Sequence, residues 1–146
     1  MQYKIGNIWD RSDGWIVVTT NMMIKNNNTA VMGAGIAKEA ATRNKELPAK
    51  LATHIHRRGT ALFYCKPYIC LPTKIDWKDN SIIELIEDGC KELADFGELL
   101  TQLNCRDQIY LPQLGCGLGG LNWEREVRPI VDSILDSDRF VLVSRE

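Results

Sequence analysis

Two glycine-bearing loops, each following an apolar strand-like run, constrain this chain more than any other feature. They are Met32-Gly33-Ala34-Gly35-Ile36-Ala37 and Gly115-Cys116-Gly117-Leu118-Gly119-Gly120-Leu121. Glycine lets a backbone turn sharply and approach a ligand closely, and its free N–H groups can cradle a phosphate. A helix starting at such a loop adds a field that favours an anion. A pair of these loops points to a diphosphate with a group attached at each end, which is a nucleotide-like ligand.

Near matches to other phosphate motifs narrow the choice. Gly115 to Gly120 has P-loop spacing, but Leu121 stands where the lysine belongs. A cysteine-phosphatase loop built on Cys116 needs an arginine at about the sixth position, where this chain has Asn122. Gly115, Gly117 and Gly120 satisfy G-x-G-x-x-G, and Glu146 could be the acid after a second strand. That motif alone is weak, and little sheet could follow it before the chain ends.

The totals bound the remaining classes. A length of 146 residues suits one domain, 1–146, large enough to bury a proper core. A net charge of −1 gives no global basic field to advertise nucleic acid, although a local basic groove stays open. The start, Met1 to Gly6, lacks the layout of a signal peptide, and no apolar run approaches membrane-spanning length. No membrane partner is expected. Five cysteines without C-x-x-C spacing fit reduced thiols and a cytoplasmic location. His54 and His56, two apart on an expected helix, point to different faces, so no metal and no cofactor are expected.

Tyr3–Ile5, Trp15–Thr19, Ala61–Tyr64, Tyr68–Leu71, Gln108–Leu111 and Phe140–Val143 read as strands. Helical patterns run from about Ile36 to Arg43, from Leu47 to near Gly59, and from Ile82 to Leu103. Ser81-Ile82-Ile83-Glu84 has the form of a capping box, and Gly97 inside the same helix costs about 1 kcal/mol relative to alanine. Asn122 would cap a helix from Trp123 to Leu135, with Pro129 kinking it or delaying its start. Strands alternating with helices argue for a three-layer α/β/α sandwich around a mixed, mostly parallel sheet. Ligands in such sheets sit beyond the carboxyl ends of the strands, where both glycine loops lie.

In three segments the chain resembles the macrodomains, a family that binds ADP-ribose. These are Asn21 through Val31 to Ala37, Leu71-Pro72-Thr73-Lys74-Ile75-Asp76-Trp77, and Leu111-Pro112-Gln113-Leu114 on through the second glycine loop to Asn122-Trp123. Within the family it looks most like the branch of terminal-ADP-ribose protein glycohydrolases and DNA ADP-ribosyl glycohydrolase antitoxins. The antitoxin type is nearer, sharing a Pro-Thr-Lys segment and a Gly-Gly-Leu loop ending.

The resemblance implies roles. Gly33, Ala34, Gly35, Ile36 and Ala37, with Gly115, Cys116, Gly117, Leu118, Gly119, Gly120 and Leu121, would wrap the diphosphate and distal ribose. Asn21 would lie beside that ribose, and the turn at Gly6-Asn7-Ile8 would meet adenine. Asn7 stands where the family usually has aspartate, which weakens or alters adenine selection. Lys74 would act at the anomeric carbon of the distal ribose. A neutral amine can attack it and open the sugar to a Schiff base, and a charged one can stabilise a leaving group. The protein-directed enzymes carry an aspartate at the position of Gly119, so its absence favours the DNA-directed type. Asp76 could serve as a base or be a solvated turn residue.

Smaller expectations attach to neighbours. Trp77 and Lys78 could stack a base and contact a phosphate of single-stranded nucleic acid, or Trp77 could cover the Lys74 strand. Cys116 would be reactive only if a helix N-terminus lowered its pKa, and a small residue tolerated in a tight loop is the blander account. Trp9 borders adenine or simply packs, and Trp123 belongs to the core. The expected function is an ADP-ribosyl glycohydrolase that removes ADP-ribose from a modified macromolecule, DNA preferred. The alternatives are an ADP-ribose binding module without catalysis and a hydrolase of small esters such as ADP-ribose 1''-phosphate. ADP-ribose is the expected ligand or product. The resemblance allows an ADP-ribosyltransferase toxin as partner without requiring one.

Overall fold

The computed structural model describes residues 1–11 and 13–145. Its centre is a six-stranded sheet of β1 (Gln2–Ile5), β2 (Gly14–Thr20), β3 (Phe63–Cys65), β4 (Tyr68–Pro72), β5 (Gln108–Leu111) and β6 (Phe140–Ser144), in the order β1-β6-β5-β2-β4-β3. Every pairing is parallel except the β3–β4 edge, so the carboxyl ends of five strands emerge on one side. The helices are α1 (Gly35–Arg43), α2 (Leu47–Arg58), α3 (Ile83–Gln102) and α4 (Arg128–Ile134).

Strand side chains alternate between two cores, which is what a sheet covered on both faces requires. Val17, Ile69, Leu71, Ile109, Leu111, Phe140 and Leu142 join α3 and α4 in one core. Ile16, Val18, Tyr68, Cys70, Tyr110, Val141 and Val143 join α1 and α2 in the other. The fold is therefore the expected three-layer α/β sandwich with a mixed, mostly parallel sheet. Fully buried residues such as Leu71 and Leu142 each contribute about 1.5–3 kcal/mol of apolar burial. Gly97 belongs to this packing, because a Cβ there would come 2.9 Å from Phe140 Cζ. Its helix-propensity cost accompanies close contact between α3 and β6.

Three local expectations need correction. Ser81 does not cap α3: the helix opens at Ile83 with Ile82 at its N-cap and no side-chain cap bond. The Ser81 hydroxyl instead donates to Thr73 Oγ1 at 3.2 Å, a nearer demand than the helix end. The strand expected from Ala61 begins at Phe63, because the Ala61 N–H is tied back to Arg58 and its carbonyl to the His54 ring. The final helix is also divided. Asn122 caps as expected, its Oδ1 accepting from the Arg125 N–H at 2.9 Å while Glu126 accepts from the Asn122 N–H at 2.7 Å. A wide turn, Trp123–Val127, follows, and α4 starts at Arg128 with Pro129 in its first turn, where a missing N–H costs nothing. Among the described residues no helix is long and apolar enough to cross a membrane.

Candidate functional site

A cavity of about 1060 Å³ opens along the carboxyl ends of β1, β6, β5, β2 and β4. That edge is four strand steps wide, roughly 19 Å at about 4.8 Å per step. It can accept an extended ligand laid across the strands.

The first glycine loop lines the cavity from Gly33 to Ala37 and runs directly into α1. Gly35 has φ +58°, a left-handed turn that frees the loop to enter the helix at this point. The first helical hydrogen bond is made by the Lys38 N–H to Ala34 O. Among the described residues, the N–H groups of Gly33 to Ala37 donate to no protein acceptor. They form a concave row of donors at a helix N-terminus, which suits a phosphate. Facing it is the second loop, of which Gly115, Gly117, Leu118 and Gly119 line the cavity. Its shape is held by Leu121 N–H to Gly115 O at 3.0 Å and Gly120 N–H to Gly117 O at 3.2 Å. The N–H groups of Gly117, Leu118 and Gly119 likewise donate to no protein acceptor among the described residues.

Lys74 follows β4 with only Thr73 between, half-buried in the cavity wall. Its neighbours are fixed on both sides: the Thr73 N–H donates to Thr20 O at 2.9 Å, and Ile75 O accepts from the Met22 N–H at 3.0 Å. Thr73 O in turn accepts from the Ile82 N–H at 2.6 Å, and the Ser81 N–H donates to Gly119 O at 2.8 Å. Through Thr73 and Ser81 the lysine segment and the second loop form one hydrogen-bonded unit. Thr73 is 3% exposed and Ser81 8%, and both line the cavity. Two hydroxyls sharing one bond leave one O–H free to donate to a ligand.

Asn21, buried at the end of β2, spends part of its amide on the loop it introduces. It donates to Val31 O at 3.0 Å and accepts from the Met23 N–H at 2.9 Å, which leaves one N–H and one lone pair for a ligand. At the cavity mouth Trp77 is 57% exposed and Leu118 71%, with Lys25 and Lys78 beside them. Trp77 thus presents its ring to solvent. Asp76 accepts from the Lys78 N–H at 3.2 Å and lies 4.0 Å from Lys78 Nζ, the arrangement of a turn aspartate.

Of the residues expected around ADP-ribose from the two loops and the Gly6–Ile8 turn, four do not line the cavity: Asn7, Cys116, Gly120 and Leu121. Asn7 is exposed and its Oδ1 caps the Ile8–Asp10 turn, accepting from the Trp9 N–H at 3.0 Å, while Gly6 and Ile8 on either side do line the wall. Cys116 turns away, donating to Leu114 O at 3.3 Å, and burial pushes its thiol up to about 11. The next helical turn opens only at Trp123, and burial raises this thiol rather than activating it. Leu121 and Trp123 pack against the α3–α4 core. Trp9 packs edge-on to Tyr68 at 6.2 Å, outside the cavity lining.

Glu39, Val143, Ser144 and Arg145, which sequence reasoning missed, form the β1–β6 end of the cavity together with Gly6 and Ile8. No motif announces them, because their meeting depends on β6 lying beside β1 and on the bond from Arg145 to Glu39 of α1. Glu146, the acid required by a dinucleotide-binding reading, lies outside the described residues. Among the described residues no group of three or more His, Cys, Asp or Glu is arranged to hold a metal ion.

No protein-family model matches the sequence, and no curated protein matches it. Solved structures do. The macrodomain of Thermus aquaticus DarG superposes with a TM-score of 0.73 at 25% identity, over 99% of this chain and 97% of that one. The macrodomain of Mycobacterium tuberculosis DarG gives 0.73 at 24%, with the same coverage. Thermosipho africanus DarTG in complex with ADP-ribose gives 0.76 at 21%, this chain spanning 42% of its length.

Proposed function

We propose that this chain, which has the macrodomain fold, is an ADP-ribosyl glycohydrolase that removes ADP-ribose from a modified macromolecule, with DNA as the preferred substrate. The observation that carries the reading is the meeting of three features in one cavity. Two rows of unengaged backbone N–H groups lie along the strand ends, and Lys74, its backbone pinned on both sides, stands at the β4 end. The likeness to DarG macrodomains and to an ADP-ribose complex supports it.

In this scheme the loops at Gly33–Ala37 and Gly115–Gly119 hold the diphosphate, and Asn21 lies against the distal ribose. Binding energy collected along the nucleotide orients the anomeric carbon toward Lys74. As a free amine, Nζ attacks that carbon, the glycosidic bond breaks toward the macromolecule, and the opened sugar is held as a Schiff base until water releases it. As an ammonium, Nζ stabilises the departing group instead. The Thr73–Ser81 hydroxyl pair supplies one directed donor beside the reacting ribose. Trp77, Lys78 and Lys25 at the mouth give a nucleic-acid strand a ring to stack on and two charges for its phosphates, which supports the DNA preference. An ADP-ribosyltransferase, whose product this site would erase, is the corresponding partner, and a cytoplasmic location accords with five free cysteines.

One observation favours a second reading, a binding module or a hydrolase of small ADP-ribose esters. Gly119 leaves no room for a loop acid that would activate water. Incubation of the wild type and Lys74→Ala with ADP-ribosylated single-stranded DNA separates the readings, with free ADP-ribose measured and binding checked by calorimetry. Release by the wild type alone supports the glycohydrolase. Binding without release by either protein sinks it and leaves the second reading.

A further inference from the structure

The β1–β6 end of the cavity carries an ion pair that the diphosphate and lysine chemistry does not use. Glu39, on α1, receives Arg145 Nη2 on both carboxylate oxygens at 3.0 Å. Its Oε2 also accepts from Trp9 Nε1 at 3.2 Å. Trp9 is itself fixed, with the Arg43 guanidinium 4.4 Å over its ring and Tyr68 against its edge. The Glu39 carboxylate is thus held in one orientation from two sides, and both it and Arg145 line the cavity.

The lone pairs show what remains. Oε2 has both of its acceptor positions filled, while Oε1 has one filled and one open. Among the described residues Arg145 bonds only Glu39, through Nη2, which leaves its other guanidinium N–H groups to donate. The pair therefore presents an acceptor beside a donor. Adenine presents the complement, an exocyclic amine beside a ring-nitrogen acceptor. Asn7, the neighbouring group expected to receive that amine, accepts from the Trp9 N–H through its Oδ1 and stands outside the cavity.

Resting on the ADP-ribose reading of the cavity, we propose that Glu39 and Arg145 are its base-selecting residues, Glu39 Oε1 accepting from the adenine amine and Arg145 donating to the adjacent ring nitrogen. Trp9 is a positioning residue that acts through Glu39. With N7 as that ring nitrogen, replacing the amine by a carbonyl, as in hypoxanthine, leaves two acceptors on this edge and none of the donor that Glu39 requires.

The test is calorimetric titration of the whole chain with ADP-ribose and with its hypoxanthine counterpart. The wild type prefers ADP-ribose by about tenfold or more, the worth of one charge-assisted hydrogen bond. In Glu39→Gln and Arg145→Ala the preference collapses to within about threefold, and Trp9→Phe, which keeps the packing but not the indole N–H, reduces it partway. Thermal melting identifies any variant that fails to fold, and the ratio of the two affinities is insensitive to a partial loss of folded protein. Tight ADP-ribose binding with a ratio unchanged in both charge variants overturns the inference and leaves Glu39–Arg145 a surface ion pair. A wild type that binds neither nucleotide overturns the ADP-ribose reading itself, and the inference with it.

Discussion

A Cβ added to Gly119 would come closer than 3.0 Å to both the Ser81 hydroxyl oxygen and the Gly115 carbonyl. Ser81 thus occupies the space that a side chain at 119 would need, and its own N–H holds the Gly119 carbonyl at 2.8 Å. The second loop and the start of α3 are shaped around each other.

Gly119→Asp is therefore expected to displace the loop rather than add an acid to the cavity. The neighbours are backbone and a buried hydroxyl, so the cost is about 1–3 kcal/mol of overpacking. A lowered melting temperature together with at least a severalfold loss of ADP-ribose affinity is the expected outcome. An unchanged melting temperature with gained hydrolysis of protein-linked ADP-ribose would show that the loop accommodates the acid.

Lys74→Met keeps the aliphatic stem and removes the amine. Release of ADP-ribose should fall by about 100-fold or more, the usual scale for losing a group that acts in the transition state, while ADP-ribose affinity changes far less. Borohydride added during turnover should leave a stable adduct on the wild type if the amine attacks, detected by intact mass. Turnover without an adduct would assign Lys74 to leaving-group stabilisation.

Cysteine ionisation sets an alkaline limit on stability. Burial pushes Cys70 and Cys90 from 9.0 to about 12 and Cys116 to about 11. Between pH 9 and these values the unfolded chain has released thiol protons that the folded chain still holds. Stability is therefore fully present below pH 9 and declines as pH rises through that window. Denaturant midpoints measured from pH 7 to 10.5 should fall above pH 9. At neutral pH, Cys116 should resist alkylation in the folded protein and react once it is unfolded.

Asn122→Ala removes the acceptor of the Arg125 N–H and should cost about 1 kcal/mol, the usual value of an N-cap. Urea unfolding would read this directly. Because the capped turn lies outside the cavity lining, ADP-ribose affinity should stay within about twofold.

Much of the architecture was legible because its signals are local. Ile16-Val17-Val18 and Phe140-Val141-Leu142-Val143 are apolar at every position, as only strands covered on both faces can be. The glycine loops stood out for the same reason, since close backbone approach excludes most other residues. Ser81 misled because its spacing to Glu84 imitates a capping box, whereas the hydroxyl finds its acceptor in Thr73, eight positions back. Glu39 and Arg145 left no trace, being 106 residues apart and joined only by the sheet order. Asn7 does not line the cavity although Gly6 and Ile8 beside it do, because its side chain caps its own turn, a local bond that the resemblance does not signal.

The lysine segment at β4 and the base-selecting pair at β6 sit three strand steps apart along the strand-end edge, about 14 Å by strand count, with no shared hydrogen bond. At that distance their energetic effects should add, so a change in which base is preferred need not disturb bond cleavage. The cavity is in this sense modular: its nucleobase preference can drift or be redesigned at the tip of β6 while the chemistry at the tip of β4 is retained.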